Sequence, residues 1–222
     1  MQATRWIVAP LLGLLAVAMA PSTAAAAEND PVLLVHGWRG SPSTWAEMID
    51  RFRLAGRQAE AIRLPGQDNI KNAQAIRDFI SNKGWDDVDI VAQSMGGLSA
   101  RYFIKTIGTS RVDTYVSLGT PQYGLLRACL LFSSQGGQMC PSRSFLRSLN
   151  TGDDTPTDVY WTTIYSRTDG VVANNSSRLD GGACHVFEDP GVPHNDMDNN
   201  DKIFAHVLDA TNRTCDGTFK TT

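Results

Sequence analysis

Two hydrophobic patterns alternate along the chain. Residues 31–35, 88–92 and 114–118 are short, largely apolar runs, the mark of strands covered on both faces. Between such runs, apolar residues recur at helical spacing. Ile70, Ala73, Ile76, Phe79 and Ile80 predict a helix over 70–83. Another is predicted over 44–54, with Ser43 as its N-cap and Gly56 just beyond its end. Residues 58–64 read as a weaker strand stopped by Pro65 and Gly66. The strand over 88–92 runs through Gln93-Ser94-Met95-Gly96-Gly97 into a helix ending near Thr106. A β-branched and aromatic strand over 160–165 and a short strand over 184–187 follow. The closing helix, 199–210, carries Ile203, Phe204, Val207 and Leu208 on one face. Residues 121–157, rich in Ser, Gly and Asp, show no period and are expected to be irregular.

This alternation of strands and helices predicts an α/β fold, a mostly parallel central sheet flanked by helices on both faces. The N-terminal segment stands outside that pattern. Arg5 precedes a run that is apolar from 6 to 20, and Ala24 to Ala27 offer small-residue cleavage sites. Residues 1–27 are therefore expected to be a secretory signal peptide, too short and too interrupted by Pro10 and Gly13 for a membrane span of about 20 residues. With no internal repeat or linker, residues 28–222 are expected to form a single domain.

Composition narrows the partners. Lys and Arg total 20 against 23 Asp and Glu, for a net charge of −3, so the basic excess of a nucleic-acid binder is missing. With 42% hydrophobic and 19% charged residues, the chain is too apolar for disorder. No later stretch could serve as a transmembrane anchor, and a monomer is expected. Export makes Cys129, Cys140, Cys184 and Cys215 an even set in an oxidising compartment. Three pairings are open; Cys129–Cys140, stapling one loop, and Cys184–Cys215, tying the polar tail to a late strand, are favoured. No C-x-x-C or paired-His spacing accompanies them, so neither a metal nor an organic cofactor is expected.

The sharpest chemical signal is Ala92-Gln93-Ser94-Met95-Gly96 between a strand and a helix. Small residues two positions either side of a serine let the strand and helix approach closely while the turn presents the hydroxyl at the end of the sheet. This is the nucleophile-elbow pattern of α/β-hydrolases. A serine hydroxyl needs a base, and of four histidines only His194 lies on a loop between the last strand and the last helix, where the order Ser, Asp, His of that fold puts it. Asp169, directly after the strand over 160–165, is the carboxylate that would orient it; Asp180 is the alternative. Trp38, in His36-Gly37-Trp38-Arg39-Gly40, and Met95, after the serine, would supply the backbone N–H groups of an oxyanion hole.

Val35-His36-Gly37-x-x-Gly40, Ala92-x-Ser94-Met95-Gly96-Gly97 and Ile164-Tyr165-Ser166-x-x-Asp169, followed by Ser177-Arg178-Leu179-Asp180-Gly181, resemble the small secreted bacterial lipases of the Bacillus lipase A type. More widely, they resemble the class 2 lipases of actinobacteria. The resemblance covers most of residues 31–210. It implies a minimal α/β-hydrolase with Ser94, Asp169 and His194 as triad, and Trp38 and Met95 as oxyanion donors. The substrate it implies is a lipid or other ester, cleaved through an acyl-enzyme outside the cell. Residues 118–124, Leu-Gly-Thr-Pro-Gln-Tyr-Gly, resemble a stretch that borders the acyl groove in the broader lipase group. Gln93 stands where the Bacillus enzymes have His, and 121–157 is longer than their counterpart. The acidic run from His194 to Asp201 matches no complete calcium template and is read as a solvated loop with helix caps. The same triad would also suit an acyltransferase or a cutinase-like polyester hydrolase, and the shell alone would suit a non-catalytic binding protein.

Overall fold

The computed structural model describes residues 30–108 and 111–221. The signal-peptide reading of 1–27 lies outside them. Seven strands form one sheet in the order β2-β1-β3-β4-β5-β6-β7. They are β1 (Val32–Val35), β2 (Ala59–Ile62), β3 (Val88–Gln93), β4 (Val112–Leu118), β5 (Tyr160–Ser166), β6 (Ala183–Glu188) and β7 (Thr218–Lys220). The first six are mutually parallel, and β7 closes the edge antiparallel to β6.

The expected α/β architecture is therefore present, and the pleat explains why β1 is apolar throughout. Successive side chains of β1 go to opposite faces. Leu33 and Val35 join a core with Ile76 and Ile80 of α2 (Asn69–Lys83). Val32 and Leu34 join Phe52 of α1 (Ala46–Leu54) and Val207 of α6 (Asp201–Thr211). Both faces are dry, so alternation disappears from the sequence.

Helix ends carry the main departures. Pro42 opens a 3-10 turn, Pro42–Trp45, and α1 starts only at Ala46, so Ser43 is not its N-cap. Its hydroxyl instead lies 2.7 Å from that of Ser41. A proline sets the backbone for the first turn of a helix, which shifts the start upstream of the serine and tightens it. In α2, Ile70 is partly exposed, while Asn69 and Asn72 are buried. Asn69 Oδ1 accepts a hydrogen bond from Ser99 Oγ at 2.7 Å, and its amide donates to Gln138 Oε1 at 3.0 Å. That polar face joins three segments that share no sequence pattern.

The stretch 121–157 is not irregular throughout. It holds 3-10 turns at Leu126–Leu130 and Gly137–Met139 and the short helix α4 (Ser144–Leu149). Each is too short to show a period, and they are held by burial instead. Phe145, Leu146 and Leu149 pack with Ala128 and Met139 against Met95 and Leu98 of α3 (Met95–Tyr102). Both favoured disulfides are formed, Cys129–Cys140 and Cys184–Cys215. The second holds the tail beside β6, where β7 pairs. The helix α5 (Asn174–Ser177) and strand β7 carry no advance signal in the sequence. Among the described residues, no helix is long and apolar enough to cross a membrane.

Candidate active site

The carboxyl ends of the parallel strands bring the candidate residues together. Ser94 follows β3 with φ 53° and ψ −128°, a strained conformation for a residue with a side chain. Its N–H donates to Leu118 O of β4 at 2.9 Å, and Gly97 N–H donates to Ser94 O at 3.1 Å, which together fix the turn. The small-residue requirement is literal at Gly96. A Cβ there would lie 2.5 Å from His36 O and 2.7 Å from Val35 O. Any larger residue would push α3 off β1 and move the serine with it.

Asp169 follows β5, and His194 opens a 3-10 turn (His194–Asp196) after β6. His194 Nδ1 lies 2.8 Å from Asp169 Oδ2, and both side chains are buried. The other carboxylate oxygen, Oδ1, accepts from the N–H groups of Val171 (2.9 Å) and Val172 (2.6 Å). With one oxygen occupied by the backbone, the other is left to take the Nδ1 proton. A carboxylate can only accept, so Nδ1 is the donor in this bond, and in a neutral imidazole that makes Nε2 the acceptor nitrogen. Asp180, the alternative, is exposed and its N–H donates to Tyr123 Oη at 2.7 Å.

The other histidines are engaged elsewhere. His36 Nδ1 faces Gly37 O at 3.0 Å and Nε2 accepts from Leu64 N–H at 3.2 Å, which fixes it as a neutral loop brace. Burial lowers its pKa further. His185 Nε2 meets Leu179 O, also with a pKa lowered by burial. His206 sits between Asp216 and Glu188.

Ser94 and His194 line one cavity of about 500 Å³, together with Trp38 and Gln93. Much of its remaining wall comes from 121–157, through Leu125, Ala128, Leu131 and Met139, with Val171 and Asn195 completing it. Met95 is the first residue of α3, so its N–H is one of the four that a helix cannot satisfy internally. Trp38 lies on a tight loop closed by Gly40 N–H to Gly37 O at 3.1 Å. Its indole N–H donates to Gln135 O at 2.9 Å, so the insert is docked onto the loop that would hold the second oxyanion donor.

Three contributors escaped the sequence reading. Gly119 (φ 54°) passes so close to the pair that a Cβ would lie 2.6 Å from Asp169 Oδ2 and 3.0 Å from His194 Nδ1. The Leu-Gly-Thr-Pro stretch was the available signal, though it suggested a groove wall rather than this clearance. Ser166 Oγ accepts from Val192 N–H at 2.6 Å and braces the loop leading to His194. Arg101 of α3 is wholly buried; it pairs with Asp154 and donates to Asn150 Oδ1 at 2.7 Å, pinning the end of the insert to the helix that follows Ser94.

At the opposite ends of the strands, the carboxylates of Asp30, Asp89 and Asp113 come within 4.8 Å of one another. Arg57 pairs with Asp89 at 2.6 Å and Arg213 with Asp113 at 2.7 Å, so two guanidinium groups already serve the cluster. Burial pushes the Asp89 carboxyl up to about 7, against the pull of Arg57. On the acidic run after His194, Asn200 caps α6 through bonds from Lys202 N–H (3.0 Å) and Ile203 N–H (3.3 Å).

The family described as Lipase (class 2) matches residues 29–211. The mature form of the Bacillus licheniformis lipase BlEst2 superposes with a TM-score of 0.65 at 18% identity, covering 81% of this chain and 91% of that one. Its propeptide form gives 0.68 at 19% identity, covering 87% of this chain and 52% of that one. A structure of the metagenome-derived lipolytic enzymes LipS and LipT gives 0.62 at 15% identity, with 82% and 92% covered. At these identities the superpositions speak for the fold. Among curated proteins, the Xenopus laevis lysosomal thioesterase PPT2-B is 28% identical over 109 residues, 43% of this chain. The match spans 38% of that relative's length.

Proposed function

This chain belongs to the class 2 lipase family, a carboxylic ester hydrolase on the α/β-hydrolase fold, and from that premise we propose that it is a secreted serine hydrolase of lipidic esters. Ser94 is the nucleophile, His194 the base and Asp169 the group that orients it, with the N–H groups of Trp38 and Met95 as the oxyanion hole.

The observation that carries this reading is the Asp169–His194 bond at 2.8 Å, opening into the same cavity as a serine held in a strained strand-to-helix turn. Ser94 Oγ attacks the ester carbonyl while His194 Nε2 takes its proton. Negative charge grows on the carbonyl oxygen, where the two N–H groups stabilise it. His194 then protonates the departing alcohol, and water repeats the sequence on the acyl-enzyme. The apolar wall of Leu125, Leu131 and Met139 suits the acyl chain, since burying each methylene contributes roughly 0.8 kcal/mol. Two formed disulfides support an oxidising, extracellular setting.

The test is Ser94→Ala together with labelling by a serine-reactive phosphonate. The wild type is expected to hydrolyse p-nitrophenyl esters and to take up one phosphonate. The variant is expected to fold normally and do neither. Full turnover by the variant would refute the assignment.

A further inference from the structure

Gln93 is a buried polar residue beside the nucleophile that the chemistry above leaves without a task. Its side chain reaches away from β3 to the loop that bears His194, 101 residues along the chain. There Nε2 donates to His194 O at 3.2 Å. On the other side of the His194 α-carbon, its N–H donates to Asp169 O at 3.1 Å. The backbone of His194 is thus held at its N–H by the loop after β5 and at its C=O by the end of β3. The Gln93 Oε1 atom occupies the space above Gly37, where any Cβ would collide with it and would also lie 2.8 Å from Ser94 Cβ. One neutral amide is therefore wedged between the loop of Trp38, the turn of Ser94 and the loop of His194.

His194 needs such a tie. It stands at the start of a three-residue 3-10 turn in a connection between β6 and α6, with no long element of its own to hold it. Its bonds to Asp169 fix it to β5, but the reaction needs it registered against Ser94 on β3. A displacement of about 1 Å at such a site can cost on the order of 100-fold in rate.

We propose that Gln93 is a positioning residue that registers the His194 loop against the nucleophile strand through its amide N–H. The proposal rests on the reading of Ser94 and His194 as nucleophile and base. Gln93→Met keeps the length and shape of the side chain but removes the donor. Gln93→His restores a donor of similar reach. With a soluble short-chain ester, Gln93→Met is expected to lower kcat by about 10- to 100-fold with KM within about twofold, on the scale that misplacement implies. The low-field proton resonance of His194 Nδ1–H is expected to be sharp in the wild type and to broaden in Gln93→Met as the loop loosens. Gln93→His is expected to recover most of the lost kcat and the sharp resonance.

A wild-type kcat in Gln93→Met overturns the proposal. So does a Gln93→His variant no faster than Gln93→Met, since the loss would then come from packing and not from the donor. Should Gln93→Met fail to fold, Gln93→Glu replaces it. At pH 8 its carboxylate can only accept, so it must show the same loss, and a wild-type kcat there overturns the proposal. Failure of the underlying reading has a different signature, turnover retained in Ser94→Ala.

Discussion

His194 and Asp169 are joined twice, by Nδ1 to Oδ2 at 2.8 Å and by backbone N–H to backbone O at 3.1 Å. The second bond survives any change of the Asp169 side chain, so the loop stays in place while the tautomer changes. Asp169→Asn is therefore expected to keep the melting temperature near that of the wild type. It should lower kcat by about 10⁴-fold, because an amide donor at Nδ1 puts the imidazole proton on the wrong nitrogen. Steady-state kinetics on a soluble ester would show it. A rate within tenfold of wild type would remove Asp169 from the role.

Gly119 makes room for that pair. Alanine there would sit 2.6 Å from the Asp169 carboxylate in a backbone region with φ 54°. The backbone strain alone costs on the order of 1–3 kcal/mol. Gly119→Ala is expected to lose activity more steeply than stability, since the clash falls on the orienting carboxylate. Parallel measurement of kcat and urea midpoint would separate the two. An unchanged kcat would show that the pair can shift without cost.

Arg101 and Asp154 form a buried ion pair joining α3 to the end of the insert. Tyr123 Oη also donates to Asp154, at 2.8 Å. Removing the cation leaves a buried carboxylate with one neutral partner beside Lys105. Arg101→Met is expected to destabilise the fold by about 3–5 kcal/mol in urea unfolding. A loss below 1 kcal/mol would mean that Lys105, 3.8 Å from Asp154, takes over.

The Asp89 carboxyl gives stability a pH dependence of unusual sign. Its folded pKa is raised from 3.8 to about 7, chiefly by burial. Between those values the folded state binds more protons than the unfolded state, so this group's contribution to stability falls as pH rises through the window. Asp89→Asn is expected to remove that slope. Urea midpoints from pH 4 to 8 would reveal it, and identical slopes in both proteins would rule Asp89 out as the cause.

Leu130, which lines the Ser94 cavity, is 90% exposed, and its chain neighbours Leu126 and Phe132 are 81% and 77% exposed. They sit on or beside the segment stapled by Cys129–Cys140. Large exposed apolar groups on the segment that walls the proposed catalytic cavity suit contact with an aggregated substrate. Leu130→Ser with Phe132→Ser is expected to leave kcat/KM on a soluble acetate ester within twofold while lowering turnover on an emulsion several-fold. Equal effects on both substrates would argue for a role inside the cavity instead.

The legible part of the fold was its repeating part. Apolar runs at 31–35 and 88–92 became β1 and β3 because both faces of those strands are covered, which leaves Asp89 as the one polar position to interrupt the pattern. The elbow was legible for a local reason. Gly96 must clear the β1 backbone, and that requirement is written in the residue itself. His194 and Asp169 were readable only through chain order and the resemblance to a family, since nothing local distinguishes Asp169-Gly170 from an ordinary turn. The short helices of 121–157 were not legible. Three to six residues are too few for a period, and their stability comes from α3 beneath them.

By itself, the sequence determined the class of sheet and the serine at the strand-to-helix turn, and it favoured one pairing of the four cysteines over the other two. Those features depend on neighbours in the chain or on the simple geometry of a staple. Only the tertiary structure decided how the distant loops meet. It placed Asp169 Oδ2 on His194 Nδ1, cleared that contact with Gly119, and laid 121–157 over the loop of Trp38. Each of these joins residues tens of positions apart through one atom-to-atom contact, and such a contact has no periodicity from which a sequence pattern could announce it.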